Sequence, residues 1–179
     1  YGPIWMRPEL REHRAGRGQP PLPVLVVVSG TARLDPMARM FVERRHDQPA
    51  PPPTVVVTCE AADKVRVDAL RQVATVLVCG DDTVDLAEAI DQLRRLGYDR
   101  MVCEGGPLLF TSLLEAGLVD ELCLTRAPLL AGPGHRTMAG SGPALPRTVP
   151  LDLTALAVAD GALFARYRVL HPAPDGGQG

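Results

Sequence analysis

The sequence predicts an α/β fold: a mostly parallel central sheet flanked by helices, with a C-terminal antiparallel hairpin. Three observations predict it. Short runs rich in β-branched residues, "PVLVVVS" (23–29), "TVVVTC" (54–59) and "ATVLVCG" (74–80), have the length and composition of strands buried on both faces. Segments with helical character separate such runs, as parallel neighbours require. Finally, "LDLTALAVADGALFARYRVL" (151–170) alternates on both sides of Asp160-Gly161, a strong hairpin signal.

The remaining elements follow in order. Residues 1–23 are polar and Pro-rich, with a short helix expected over Pro8 to Ala15, where Pro8 suits a first helical position. "DQPAPPP" (47–53) is a loop, because Pro cannot join a central ladder. A modest helix is expected over Ala62 to Val73. "DDTVDLAEAIDQLRRLG" is the clearest helix in the chain: Asp82 or Thr83 caps it, Leu86, Ala89, Ile90, Leu93 and Leu96 share one face, and Gly97 stops it. "YDRMVCE" (98–104) reads as a strand, "PLLFTSLLEAG" as a helix ended by Gly117, and "VDELCLTRAP" as a further strand. A Gly/Pro loop (129–148) and a frayed tail (171–179) complete one domain over residues 1–179.

Composition narrows the function. A formal charge of −2 with interspersed signs gives no electrostatic footprint for nucleic acid or an anionic membrane. Aromatics at 4% argue against base-stacking surfaces. No apolar run approaches a membrane span, and the N-terminal residues do not resemble a signal peptide. Cys59, Cys79, Cys103 and Cys123 form no C-x-x-C pair; each sits in or at the end of a Val/Leu-rich run, as small buried apolar side chains in a reducing cytoplasm would. The four histidines are scattered, which gives no metal site, and no serine has the G-x-S-x-G context of a hydrolase. Asp81, Asp82 and Asp85 read as helix capping.

The chemistry concentrates in "VCEGGPLLFTSLLEAGLVDE" (102–121). Ligands of open α/β sheets bind beyond the carboxyl ends of the strands, where the turn at Glu104 to Pro107 lies. Gly105 and Gly106 carry no Cβ, so a bulky anion can approach the main chain. Pro107 fits the first turn of the following helix, whose free amides and dipole favour phosphate. A carboxylate at Glu104 would repel that anion unless it faces another part of the ligand, such as a hydroxyl or amine.

These residues resemble a known family. "MVCEGGPLLFTSLLEAGLVDELCLTRAPLLAGPG" is similar to the reductase domain of riboflavin biosynthesis, and the similarity runs from "PVLVVVSG" to "FARYRV". The resemblance implies a dihydrofolate-reductase-like fold, NADPH as cofactor, a phosphorylated ribosylaminopyrimidine as substrate, and a homodimer built around the terminal hairpins. Carried over, it implies that Glu104 contacts substrate. Gly105, Gly106, Pro107, Leu108, Leu109 and Thr111 would hold the cofactor diphosphate. Ser29 and Thr31 would lie near the adenosine 2′-phosphate, Gly80 near the adenine, and Thr58 at the neighbouring strand end. No catalytic acid is assigned. The family begins with a strand, a helix and a Gly-rich loop ahead of the segment matching "YGPIW", so the chain reads as the domain without that N-terminal portion. A pterin substrate such as dihydrofolate, or a non-catalytic dimerising or nucleotide-binding remnant, are the rival readings.

Overall fold

The computed structural model describes residues 4–130, 145 and 148–171. Two compact units emerge, Tyr1–Asp99 and Arg100–Gly179. The Gly/Pro loop read over 129–148 and the tail at 171–179 lie largely outside the described residues, as do His135 and Ser141.

The first unit is built on three parallel strands, β1 (Val26–Val28), β2 (Val55–Thr58) and β3 (Thr75–Val78), in that spatial order. β2 is buried along its whole length, because it is paired on both edges and covered on both faces. Its alternating side chains serve two cores. Val56 packs with Ala32, Phe41, Ala62, Val67 and Leu70, whereas Val57 packs with Cys79 and Ala89. Burying valines of this kind stabilises by about 1.5–3 kcal/mol each. β1 is only half-buried, since it forms an edge of this sheet.

Four helices accompany the sheet: α1 (Pro8–Ala15), α2 (Arg39–Val42), α3 (Lys64–Arg71) and α4 (Leu86–Arg95). α1 begins at the expected proline. The single turn α2 has no sequence counterpart in the expectation, because a four-residue helix shows no period; Phe41, buried in the core, anchors it. α3 is shorter than the expected 62–73 because Asp63 caps it, accepting from the Arg66 N–H at 3.1 Å. α4 is capped by Asp85 and not by Asp82 or Thr83: the Asp85 carboxylate accepts from the Glu88 N–H at 3.0 Å. Gly97 ends it with φ +87°, as expected.

The second unit holds α5 (Pro107–Glu115) and three antiparallel strands, β4 (Glu121–Arg126), β5 (Leu151–Ala159) and β6 (Ala162–Val169), ordered β4-β6-β5. Asp160 and Gly161 both adopt positive φ, 49° and 75°, the two-residue turn that the sequence announced. A bulge between Leu153 and Ala155 matters more than its size suggests. It keeps Leu156 and Val158 on the face that carries Leu151 and Leu153, where they meet Ala165, Leu163, Val169 and Tyr167 of β6. Leu122 and Leu124 of β4 join that face.

Two expectations are corrected. Residues 98–104 are not a strand: Met101, Val102 and Cys103 are irregular, without a ladder partner among the described residues. Alternation can make a segment fit for a strand but cannot supply its neighbour. The α/β class itself holds, with a parallel sheet of β1, β2 and β3 and an antiparallel one of β4, β6 and β5. Of the cysteines, Cys59 and Cys79 are buried, whereas Cys103 and Cys123 are exposed.

Candidate functional site

The carboxyl ends of β1, β2 and β3 carry three loops that are tied into one rim. Ser29 continues the ladder, its N–H donating to Val57 O at 2.9 Å, and its carbonyl accepts from Ala32 N–H at 3.2 Å. Ala32 adopts φ 50° to close this turn and is fully buried. After β2, the Glu60 and Ala61 N–H groups donate to the carbonyls of Gly80 and Asp81, at 3.0 and 2.9 Å. The buried Cys59 thiol lies 3.2 Å from Gly30 O and 3.6 Å from Asp82 O, so one sulfur joins the loops that follow β1 and β3.

Gly80 is demanded by its own surroundings. Its φ is +80°, and a Cβ there would stand 2.4 Å from Thr83 O and 2.8 Å from Asp85 N. Burial pushes the neighbouring Cys79 thiol up to about 11, with the carboxylates of Glu88 and Asp85 adding to the effect, so this thiol stays protonated. Thr58 is fully buried, and its hydroxyl has no hydrogen-bond partner among the described residues. A buried hydroxyl without a partner costs about 1–3 kcal/mol. Thr58 pairs in register with Val78 and shares its face with Val56. On the same end of the sheet, a cavity of about 280 Å³ is lined by residues that include Cys59, Glu60, Lys64, Val67, Arg71 and Val78.

The turn at Glu104 to Pro107 is different in kind. Neither Gly105 nor Gly106 has positive φ. A Cβ on Gly106 would meet nothing within 4 Å, and one on Gly105 only Leu109 Cδ2 at an ordinary 3.6 Å. Gly106 stands at the N-cap of α5 without any side-chain cap, and Pro107 occupies the first helical position. The N–H groups of Gly106, Leu108 and Leu109 donate to no acceptor among the described residues. The helix therefore presents free donors and the positive end of its dipole beside an open surface. Glu104 is exposed there. Thr111 is the one buried residue of α5.

Thus Ser29, Thr58 and Gly80 share the carboxyl-end rim of the parallel sheet, and Glu104 to Thr111 form a turn and the first part of α5 in the second unit. Sequence reasoning missed Cys59 as a rim residue, and likewise Glu88 and Gln92, whose side chains reach the Gly80 N–H and Val78 O. The spacing Asp85-x-x-Glu88 is that of a capping box and could have revealed Glu88.

Comparison with known proteins then gives a family. The RibD C-terminal domain model matches residues 5–159. A 2,5-diamino-6-ribosylamino-4(3H)-pyrimidinone 5′-phosphate reductase of Methanothermobacter thermautotrophicus is 37% identical over 125 residues, covering 70% of this chain and 55% of that protein. The reductase of the same name from Archaeoglobus fulgidus is 33% identical over 124 residues, covering 69% and 53%. The chain thus spans about half the length of these curated relatives. Among solved structures, a pyrimidine reductase-like protein of Corynebacterium diphtheriae superposes with a TM-score of 0.78 at 27% identity, over 96% of this chain and 71% of that one.

Proposed function

The chain belongs to the RibD C-terminal domain family, and from that premise we propose that it is the reductase domain for a ribosylaminopyrimidine 5′-phosphate, using NADPH. The observation that carries the reading is the α5 turn. Nothing in the chain crowds the Cβ position of either glycine, and its N–H donors have no acceptor among the described residues.

In this reading Gly105, Gly106, Pro107, Leu108 and Leu109 cradle the diphosphate, with Thr111 fixing the helix from its buried side. Glu104 points its carboxylate at a hydroxyl or amine of the pyrimidine substrate. Ser29 and Thr31 meet the 2′-phosphate, and Gly80 lies by the adenine with Thr58 at the adjacent strand end. The nicotinamide, when bound, supplies the hydride that reduces the imine carbon of the ring-opened ribose to the ribityl product. The residues named here bind and orient, which alone accounts for several kcal/mol of such a barrier. No side chain is assigned the proton that the imine nitrogen takes up. The domain works in the cytoplasm.

The same reading makes the protein a homodimer. Its support is the β4-β6-β5 face, where Leu124, Leu151, Leu153, Leu156, Val158 and Leu163 are all exposed. A bulged strand that keeps its leucines aligned on one uncovered face is the pattern of an interface.

Titration with NADPH, followed by nicotinamide fluorescence, tests the function. Saturable binding that is lost in Gly106→Val supports it. Consumption of NADPH on adding the pyrimidine phosphate, and not dihydrofolate, fixes the substrate. Absence of dinucleotide binding overturns the reading.

A further inference from the structure

Glu88 is an exposed residue of the first turn of α4, where an acidic side chain usually does no more than favour the helix dipole. Here its carboxylate is fully engaged. Oε2 accepts from the Gly80 N–H at 2.9 Å, and Oε1 accepts from Gln92 Nε2 at 3.0 Å. Gln92 Nε2 also reaches Val78 O at 3.4 Å. The side chains of Glu88 and Gln92 thus hold the last carbonyl of β3 and the amide two residues beyond it. The Gly80 N–H has no other acceptor among the described residues.

The loop so held connects to both neighbouring loops. Gly80 O and Asp81 O accept from the loop after β2, and Asp82 O lies beside the Cys59 thiol that also contacts Gly30 O. Gly80 has no freedom to substitute a side chain for this anchoring, since any Cβ collides with backbone. We propose that Glu88 is a positioning residue for the adenosine end of the dinucleotide: through Gly80 it holds the whole carboxyl-end rim in its binding geometry before ligand arrives. This rests on the NADPH reading above, which puts the adenine beside Gly80. The gain is preorganisation, because a loop that need not be ordered on binding costs less to occupy.

The test uses two variants of the full chain and two readouts. Glu88→Ala removes both hydrogen bonds, whereas Glu88→Gln keeps a carbonyl oxygen to accept from Gly80. Amide exchange at Gly80 by NMR and NADPH affinity by fluorescence titration are measured for each. Expected for Glu88→Ala is Gly80 exchange accelerated about tenfold or more and NADPH affinity weakened about fivefold, as loss of one charge-assisted hydrogen bond at an exposed site allows. Glu88→Gln should restore most of both, with thermal midpoints of the two variants alike. Unchanged NADPH affinity in Glu88→Ala overturns the inference. So does an affinity loss of equal size in both variants that tracks their thermal midpoints, which marks a merely structural residue. Fast Gly80 exchange in the wild type sinks this inference alone, whereas a wild type that binds no NADPH takes the proposed function down with it.

Discussion

The turns that follow Cys79 and Cys103 look alike in the sequence: each succeeds an apolar run ending in cysteine, contains glycine, and opens a helix. Their construction is opposite. After Cys79, the run is a paired strand, the glycine is forced by φ +80° and by backbone 2.4 Å from any Cβ, the helix is capped by Asp85, and Glu88 takes the loose amide. After Cys103, the run is unpaired, neither glycine has positive φ and both have room beside them, and the helix has no side-chain cap. A glycine with an internal cause says nothing of ligands. A pair with open room at the Cβ positions, beside free helix donors, points outward to something that must come close.

The largest expected effect breaks the comparison at its rigid side. Gly80→Val places a branched side chain in a left-handed conformation against Thr83 O and Asp85 N. Strain of about 1–3 kcal/mol from φ alone, plus backbone displacement, should remove at least about 3 kcal/mol from a stability of typically 5–15 kcal/mol. Urea unfolding followed by circular dichroism measures it. A loss under about 1 kcal/mol would mean that the loop has another conformation open to it.

Next comes the open side. Gly106→Val should lower stability far less than Gly80→Val, because nothing in the chain occupies the space its side chain would enter and only the N-cap preference is lost. NADPH binding should fall more than tenfold, a loss of at least about 1.4 kcal/mol. Gly105→Val should behave likewise, after a small shift of Leu109. If both variants bind like the wild type, the two turns differ only in packing and the α5 site is void.

Which side of this contrast was legible in the sequence follows from what periodicity encodes. β2, α4, the Gly97 stop and the Asp160-Gly161 hairpin were legible because local pattern and local geometry decide them. The position of the α4 cap was not. Asp82, Thr83 and Asp85 are all good capping residues, and the choice fell to the Gly80 loop, which places the Asp85 N–H 3.1 Å from Cys79 O. Residues 98–104 were misread as a strand because pairing is a property of a neighbour and not of the segment. The cysteines were misread by half for a related reason: Cys103 and Cys123 have strand-like flanks as apolar as those of Cys59 and Cys79, but not the covering layers. Of the site, the glycine turn was visible, whereas the Cys59 and Glu88 contacts arise only when three loops meet.

The cysteines that precede the two turns offer a chemical version of the same contrast. In a Cys123→Ser background, Cys103 should react readily with a disulfide reagent, and Cys59 and Cys79 only on unfolding. Cys79 has the further handicap of a thiol pushed up to about 11 by burial, so little thiolate exists at neutral pH. Saturating NADPH should slow Cys103 by several-fold, since a diphosphate on the Gly105–Leu109 amides would cover the adjacent main chain. Rapid labelling of Cys79 in the folded protein would contradict the packed turn, and a Cys103 rate indifferent to NADPH would contradict the open one.

The smallest effect lies at Ser29, on the β1 loop of the rim. Its N–H and carbonyl are both spent within the chain, on Val57 O and the Ala32 N–H. Only the hydroxyl is left to recognise a ligand, so Ser29→Ala deletes one hydrogen bond and leaves the turn intact. To a phosphate dianion such a bond is worth about 1.5–3 kcal/mol when shielded, and less at a half-buried residue facing water. NADPH affinity should therefore drop by about three- to tenfold, and NADH affinity should not move, because NADH lacks the 2′-phosphate. Calorimetric titration of wild type and variant with both cofactors resolves a change of that size. If NADPH and NADH bind the wild type equally, the β1 loop has no 2′-phosphate to meet. If Ser29→Ala weakens both alike, the hydroxyl supports the rim as Glu88 does, and selectivity must come from another residue, of which the exposed Thr31 is the first to replace.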